Sequence, residues 1–442
     1  MPTRHAGSTA ARLIEFREHL TSVHQPSTVP FRVVHASGGV AQGVVSEGQG
    51  YGLLIAGVAL AAQPAGTPGW RATLAFGEEL FAGWRRMCEI SKSACQDEPR
   101  YRCGGRRKHE GEAAQGFAPC LPSWIFDDAL KAQRGSGSAA DGDEDALLGL
   151  VLLLQSSSAA TWPLWERTLS WTWESVRAFL HFNTVANGRG RLTRLGSCWG
   201  GWDCNNPSYI APAHFRAFRA FSLRYGATFG VPNATLRAEA EQWDALVQSS
   251  YAMLDDAQCD GTGLTPNWWK PAGPVQARGV AACNSSGTPA DQFGAEAARG
   301  VWRVALDALW APSPASTRYL SRVAQQLASK LDSAEADGFA PLTVDPSCEA
   351  VRSVHPDWAA TPFMYGPLAS SLMLPLPTSV SARLVERQRL ALEQLSSRLA
   401  AAKIDSYYDG AWTALATATL NGDFANACSK IFLRGCPARV EV

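Results

Sequence analysis

The chain has 442 residues, 46% of them apolar and 18% charged, which is material for a sizeable core and excludes disorder along the whole length. Forty Lys and Arg balance forty Asp and Glu; with no basic excess, nucleic acid and anionic membrane surfaces are poor partners. No run of about 18 uncharged apolar residues occurs, so there is no candidate for a membrane-spanning helix.

In chain order, Met1 to Arg12 carries charges but no apolar leader segment. Short alternating runs at 31–35 and 43–46 read as strands. Ser46-Glu47-Gly48-Gln49-Gly50-Tyr51-Gly52 then precedes the apolar Leu53-Leu54-Ile55. Glu47 here has two readings. One is an acid at a helix start, with Ser46 as cap and the dipole favouring the charge. The other is a proton donor whose pKa is raised by the apolar Val44, Val45 and Leu53, with glycines that let a ligand approach. Residues 63–69 read as a loop. Residues 88–120 are Cys-rich, charged and poor in apolar side chains, an excursion pinned by disulfides. Its basic run Arg106-Arg107-Lys108-His109 fits a solvated loop better than a binding patch.

After a loop at 133–142, Ala140-Asp141-Gly142-Asp143-Glu144-Asp145 leads into a buried helix at 145–155. Acids this dense need an offset. Taken alone they fit an acidic helix start better than a calcium loop, which needs twelve residues of ligands. Helical spacing continues at 162–181, at Phe215, Phe218 and Phe221, at Leu236, Trp243 and Leu246, and at 299–310. It resumes from Tyr319 to Leu331 and over 381–402. Loops are expected at 271–290 and 311–316. Within Phe293–Arg303, Glu296 and Arg299 lie three apart at a helix start, the spacing of an ordinary ion pair. The pattern is all-α, roughly ten to twelve helices in one domain spanning 1–442 without a sequence repeat.

Eleven cysteines show no C-x-x-C spacing, so disulfides are expected rather than zinc, and the odd count leaves at least one thiol unpaired. With the sequons at Asn233 and Asn284, they point to a secreted, extracellular protein whose leader is not in this chain. Sixteen tryptophans serve either a large helical core or sugar stacking.

Taken together, these motifs resemble glycoside hydrolase family 8. S-E-G-Q-G-Y-G at 46–52 and A-D-G-D-E-D at 140–145 are similar to two of its signatures. Asn206-Pro207-Ser208-Tyr209-Ile210-Ala211-Pro212, Gly263-Leu264-Thr265-Pro266-Asn267-Trp268, the Arg299–Arg303 stretch with Trp302, and Tyr407-Tyr408-Asp409-Gly410 follow in the family's order. The resemblance covers about residues 30–425. It implies an (α/α)6 barrel with an open cleft, hydrolysis of internal β-1,4 bonds of a cellulose-like glucan, and inversion. Glu47 corresponds to the general acid, Glu296 to the general base, and Asp141 to the aspartate on the central sugar. Asp143 and Arg299 are expected to bind substrate, Asn206 and Tyr209 to line the cleft, and Trp124, Trp199, Trp202 and Trp268 to stack on sugars. No metal or organic cofactor is implied; the expected partner is a polysaccharide and the expected state a monomer. Four positions depart from the family pattern: Glu296 stands for Asp, Ala295 for Tyr, Val301 for Pro and Ala140 for Ser or Thr. The excursion at 88–120 is extra. The alternatives are the same fold acting on xylan, mixed-linkage glucan or chitosan, a glycan-binding or scaffold protein with a degraded site, and a membrane- or partner-binding role for 88–120.

Overall fold

The computed structural model describes residues 8–25, 29–36, 43–91, 102–103, 118–197, 199–259, 263–271, 293–330, 343–344, 350–351, 361–376, 380–432 and 436. Among them lie thirteen helices: α1 (Thr9–Leu20), α2 (Ser46–Ala61), α3 (Pro68–Ile90), α4 (Ala140–Gln155), α5 (Trp165–Phe182), α6 (Pro212–Tyr225), α7 (Asn233–Ala257), α8 (Ala295–Trp310), α9 (Pro314–Lys330), α10 (Pro362–Ser371), α11 (Ala382–Ala401), α12 (Tyr407–Leu420) and α13 (Asp423–Ile431). The described strands form only two-stranded antiparallel pairs, such as Thr21–His24 with Phe31–Val34 and Val44–Val45 with Ile125–Phe126.

The even-numbered helices α2 to α12 pack in sequence, and α12 returns to α2, closing a ring. The odd-numbered helices lie outside it: α3 against α2, α5 against α4 and α6, α7 against α6, α9 against α8 and α10, α11 against α10 and α12, and α1 between α12 and α2. This alternation is an (α/α)6 barrel. The two rings differ in chemistry. Outer helices bury one stripe, as in α3, where Leu74, Phe81, Trp84 and Cys88 face inward. Inner helices are enclosed on all sides: every residue of α4 from Ala140 to Leu154 is buried. Their starts differ too. Ser8, Thr67 and Ser381 cap α1, α3 and α11 with side-chain oxygens. The inner helices α2, α4, α8 and α12 have no side-chain bond from their own N-cap and instead carry an acid in the first turn.

Helices α2 and α4 approach almost to backbone contact. A Cβ on Gly50 would sit 2.5 Å from the Gly142 carbonyl oxygen, one on Gly57 2.6 Å from that of Gly149, and one on Gly149 2.4 Å from the Leu53 carbonyl carbon. Glycine spacing of seven residues on both helices therefore sets this interface. At the opposite end from the inner helix starts, α13 closes the barrel. It packs on α2, α4, α6 and α8. Trp310, the last residue of α8, donates to the Phe424 carbonyl at 2.7 Å. A Cys428–Cys436 disulfide ties α13 to the following tail.

Several expectations shift. The buried helix begins at 140, five residues earlier than expected, and shortens the expected loop at 133–142. Helix α3 is absent from the expectations, although Thr67 and Pro68 mark its start. Cys120, Cys204 and Cys259 are disulfide-bonded, and Cys88 is a buried thiol. Most of the 88–120 excursion, with Arg106 to His109, lies outside the described residues, as do Cys198 and the Asn284 sequon; the pairing of Arg102–Cys103 with Ala118–Pro119 joins its two sides. Among the described residues no helix is long and apolar enough to cross a membrane.

Gly149→Ala tests the close α2–α4 contact. The added methyl meets backbone that cannot rotate aside, so a loss of about 1–3 kcal/mol is expected in urea unfolding. Wild-type stability in this variant would mean that the helices part without strain.

Candidate active site

The N-termini of the inner helices gather at one mouth of the barrel, and the candidate residues sit on their first turns. Glu47 is the second residue of α2, Asp141 of α4 and Glu296 of α8, while Tyr407 and Tyr408 open α12. Asn206 and Tyr209 lie on the segment leading into α6. Phe363, second in α10, packs its ring on Tyr408 at 5.6 Å. Converging helix starts place partial positive charge where the carboxylates stand.

Arg299 is the hub. Its guanidinium is buried and bonds three carboxylates: Nη1 reaches Glu47 and, at 2.8 Å, Asp141, while Nη2 reaches Glu296. Glu47 also accepts from three phenols, Tyr51 at 2.9 Å, Tyr408 at 2.8 Å and Tyr407 at 2.7 Å. Tyr51 lies four residues after Glu47 on one face of α2. Burial pushes all three phenols up from their ordinary value, so they remain donors. The Glu47 carboxyl is raised to about 7, chiefly by burial. Arg299 pulls the value down, Asp141 pushes it up, and the Tyr407 bond lowers it.

Glu296 is held differently. Asn206 Nδ2 donates to its Oε2 at 2.9 Å, and the amide is oriented because its Oδ1 accepts from the Ser208 N–H at 2.9 Å and hydroxyl at 2.7 Å. Asn267 Oδ1 accepts from the N–H groups of Gly294 and Ala297, both at 3.0 Å, and so caps the first turn of α8 from outside. Asp141 accepts from the Gly142 N–H at 2.8 Å. Gly142 itself lies against the Ser46–Glu47 backbone, where a Cβ would come within 2.6 Å of the Glu47 nitrogen.

The structure thus brings Glu47, Asp141, Asn206, Tyr209, Glu296 and Arg299 together; the Tyr209 ring centre is 6.0 Å from the Arg299 guanidinium carbon. Asp143 is a correction. Two residues on from Asp141, it faces away from Arg299, is wholly enclosed and accepts from Asn183 Nδ2 at 2.7 Å. Burial raises its pKa well above the ordinary aspartate value. The tryptophans differ as well. Trp124 is half-buried, and its carbonyl accepts from Ser46 N–H beside Glu47. Trp199 is exposed on a loop bridged through Gly196 to Ala139, at the start of α4. Trp202 turns its indole N–H to the Val185 carbonyl at 3.3 Å. Trp268 is a further correction: it is buried, packed with Leu195, Cys204 and Tyr209, which removes its faces from a passing sugar. Asn267, Tyr51 and the paired tyrosines of α12 as partners of Glu47 are absent from the expected site. Each lies inside a motif already picked out, and the Glu47–Tyr51 spacing was the available signal. Among the described residues no group of three His, Cys, Asp or Glu is placed to hold a metal.

The comparisons with known proteins agree with this fold. The model of glycosyl hydrolases family 8 matches residues 114–360, more than half of the chain. The chain belongs to that family. Endoglucanase 2 of Ruminiclostridium josui is 27% identical over 199 residues, which are 43% of this chain and 35% of that protein. Endoglucanase A of Acetivibrio thermocellus is 29% identical over 185 residues, 40% of this chain and 31% of the relative. The chain thus spans about a third of the length of the curated relatives it matches. Among solved structures, a β-1,3-1,4-glucanase from Paenibacillus sp. X4 aligns with a TM-score of 0.67 at 15% identity, covering 96% of this chain and 93% of that one. Rex8A from Paenibacillus barcinonensis, solved with xylose, aligns with a TM-score of 0.63 at 15% identity, covering 96% and 95%. In this family 8 chain, Glu47, Tyr51, Tyr407 and Tyr408 fall outside the stretch matched by the family model.

The raised Glu47 pKa has a consequence for stability. An ordinary glutamate ionises near 4.5, so between about 4.5 and about 7 the folded chain keeps a proton that the unfolded chain has lost. That contribution is complete below the window and is lost as pH rises through it. The stability of wild type relative to Glu47→Gln should therefore fall on the order of 2 kcal/mol between about pH 4.5 and 7.5. Urea titrations of both proteins at the two pH values measure it; a constant difference would mean that Arg299 and the phenols cancel the burial.

Proposed function

We propose that this chain is a single catalytic domain that cleaves internal β-1,4 bonds of a cellulose-like glucan with inversion. Glu47 is the general acid and Glu296 the general base. The observation that supports this most is the cluster around Arg299, in which two carboxyls from different inner helices bond different nitrogens of one guanidinium. Glu47 has a pKa suited to donating a proton near neutrality. Glu296 takes the other Arg299 nitrogen, with Asn206 as its second donor, and Asp141 shares Nη1 with Glu47.

In the reaction, Glu47 gives its proton to the glycosidic oxygen as the bond from that oxygen to the anomeric carbon breaks. A water attacks the anomeric carbon from the opposite face, and its proton passes to Glu296. Inversion requires room for that water between the two carboxyls. Asp141 faces the positive charge that develops on the ring. Trp199 and Trp124 offer indole faces beside the mouth.

The endoglucanase names of the curated relatives support a glucan, and the disulfides support an exported protein. A second reading keeps the site and changes the polymer to mixed-linkage glucan, xylan or chitosan. A binding protein with a degraded site is disfavoured by the complete cluster.

Reducing-sugar release from carboxymethylcellulose, lichenan, xylan and chitosan tests the proposal, with proton NMR of the first product for the anomer. Carboxymethylcellulose should be cleaved with inversion, and Glu47→Gln and Glu296→Gln should each reduce the rate by about 10²–10⁴-fold. Activity that survives Glu296→Gln would move the base elsewhere. Binding without cleavage of any polymer would leave the degraded-site reading.

A further inference from the structure

One turn below Arg299 on α8 stands a second arginine, Arg303, with no exposed surface. It forks onto Asp145, Nη1 to Oδ1 at 2.9 Å and Nη2 to Oδ2 at 3.0 Å, and lies 3.1 Å from Glu144. Asp145 is one turn below Asp141 on α4. Two arginine–aspartate rungs therefore join the same two inner helices, Asp141–Arg299 at the mouth and Asp145–Arg303 beneath. Helix α6 enters the lower rung through His214, whose Nε2 is 3.0 Å from Asp145 Oδ1. Burial lowers the imidazole pKa to about 4, so it is neutral and donates this bond.

A buried ion pair is weak support for stability, since apolar replacements of similar volume are often as stable. What a two-pronged arginine contact supplies is fixed geometry. The lower rung cannot touch substrate, because all its groups are enclosed. We propose that the Asp145–Arg303–His214 rung is a positioning device for the mouth. It locks α4, α6 and α8 in register so that Arg299 holds Glu47, Asp141 and Glu296 at their working separations. Asp145, Arg303 and His214 are positioning residues, and the inference rests on Glu47 and Glu296 being the acid and base.

The test compares Asp145→Asn and Arg303→Lys with Arg177→Gln, which removes a buried-edge ion pair to Glu239 between the outer helices α5 and α7. Kinetics use whichever of the four polymers wild type degrades, at a temperature where near-UV circular dichroism shows every variant folded. The expected result is a fall of about 10–100-fold in kcat for both rung variants with KM within about twofold, while Arg177→Gln lowers Tm and leaves kcat unchanged. Wild-type kcat in folded rung variants, or a change confined to KM, overturns the inference. So does failure of both to fold, which would make the rung structural. Glu47→Gln runs alongside: if it is inactive while Arg303→Lys is fully active, only the positioning role fails, whereas an active Glu47→Gln removes the acid assignment beneath it.

Discussion

The mouth of the barrel depends on one guanidinium answering three carboxyls. Like charges this close, in surroundings drier than water, repel by several kcal/mol per pair. Arg299 bridges them, and the starts of the inner helices add partial positive charge to the same place. The cluster still holds more acid than base, and Glu47 carries the excess by keeping its proton to about pH 7. Burial is the main cause of that retention; Arg299 opposes it, and the neighbouring carboxylates Asp141 and Glu296 add to it.

This arrangement explains much of the inner ring. In Ser46–Gly52 the roles are divided among neighbours. Glu47 faces the mouth and Tyr51 steadies it from one turn below. Gln49 turns away, accepting from Val34 N–H and donating to the carbonyls of Arg32 and Leu80, which knits α2 to its outer neighbours. Gly50 lets α4 come close enough for Asp141 to share Arg299 with Glu47. The outer ring supplies the apolar bulk, so its helices follow ordinary rules of amphipathicity and capping.

That division also determined what could be read from sequence. The outer helices α5, α9 and α11 repeat apolar residues at helical steps, and their expected spans at 162–181, 319–331 and 381–402 lie within a few residues of the observed ones. Helices α10 and α12 are enclosed and have no polar face to give them a period; the enclosed α4 is legible from its long apolar run instead, while the outer α3 is missed although it has both a stripe and a cap. At the site, Glu47, Asp141, Glu296 and Arg299 emerged from motif order and not from spacing, for no local rule joins residues 252 positions apart. Asp143 shows where a motif misleads, since two steps along a helix reverse the direction of a side chain. Trp268 shows that an aromatic near a site is as readily packing as platform.

Helix α13 gives the barrel a floor. Phe424 lies under Trp302 and Trp310, and the Ile431 carbonyl accepts from Arg224 at the end of α6. With that end stopped, nothing can thread through the axis. Among the described residues, the charged groups at the inner helix starts therefore face a closed-ended well, reached from the mouth and not from the floor.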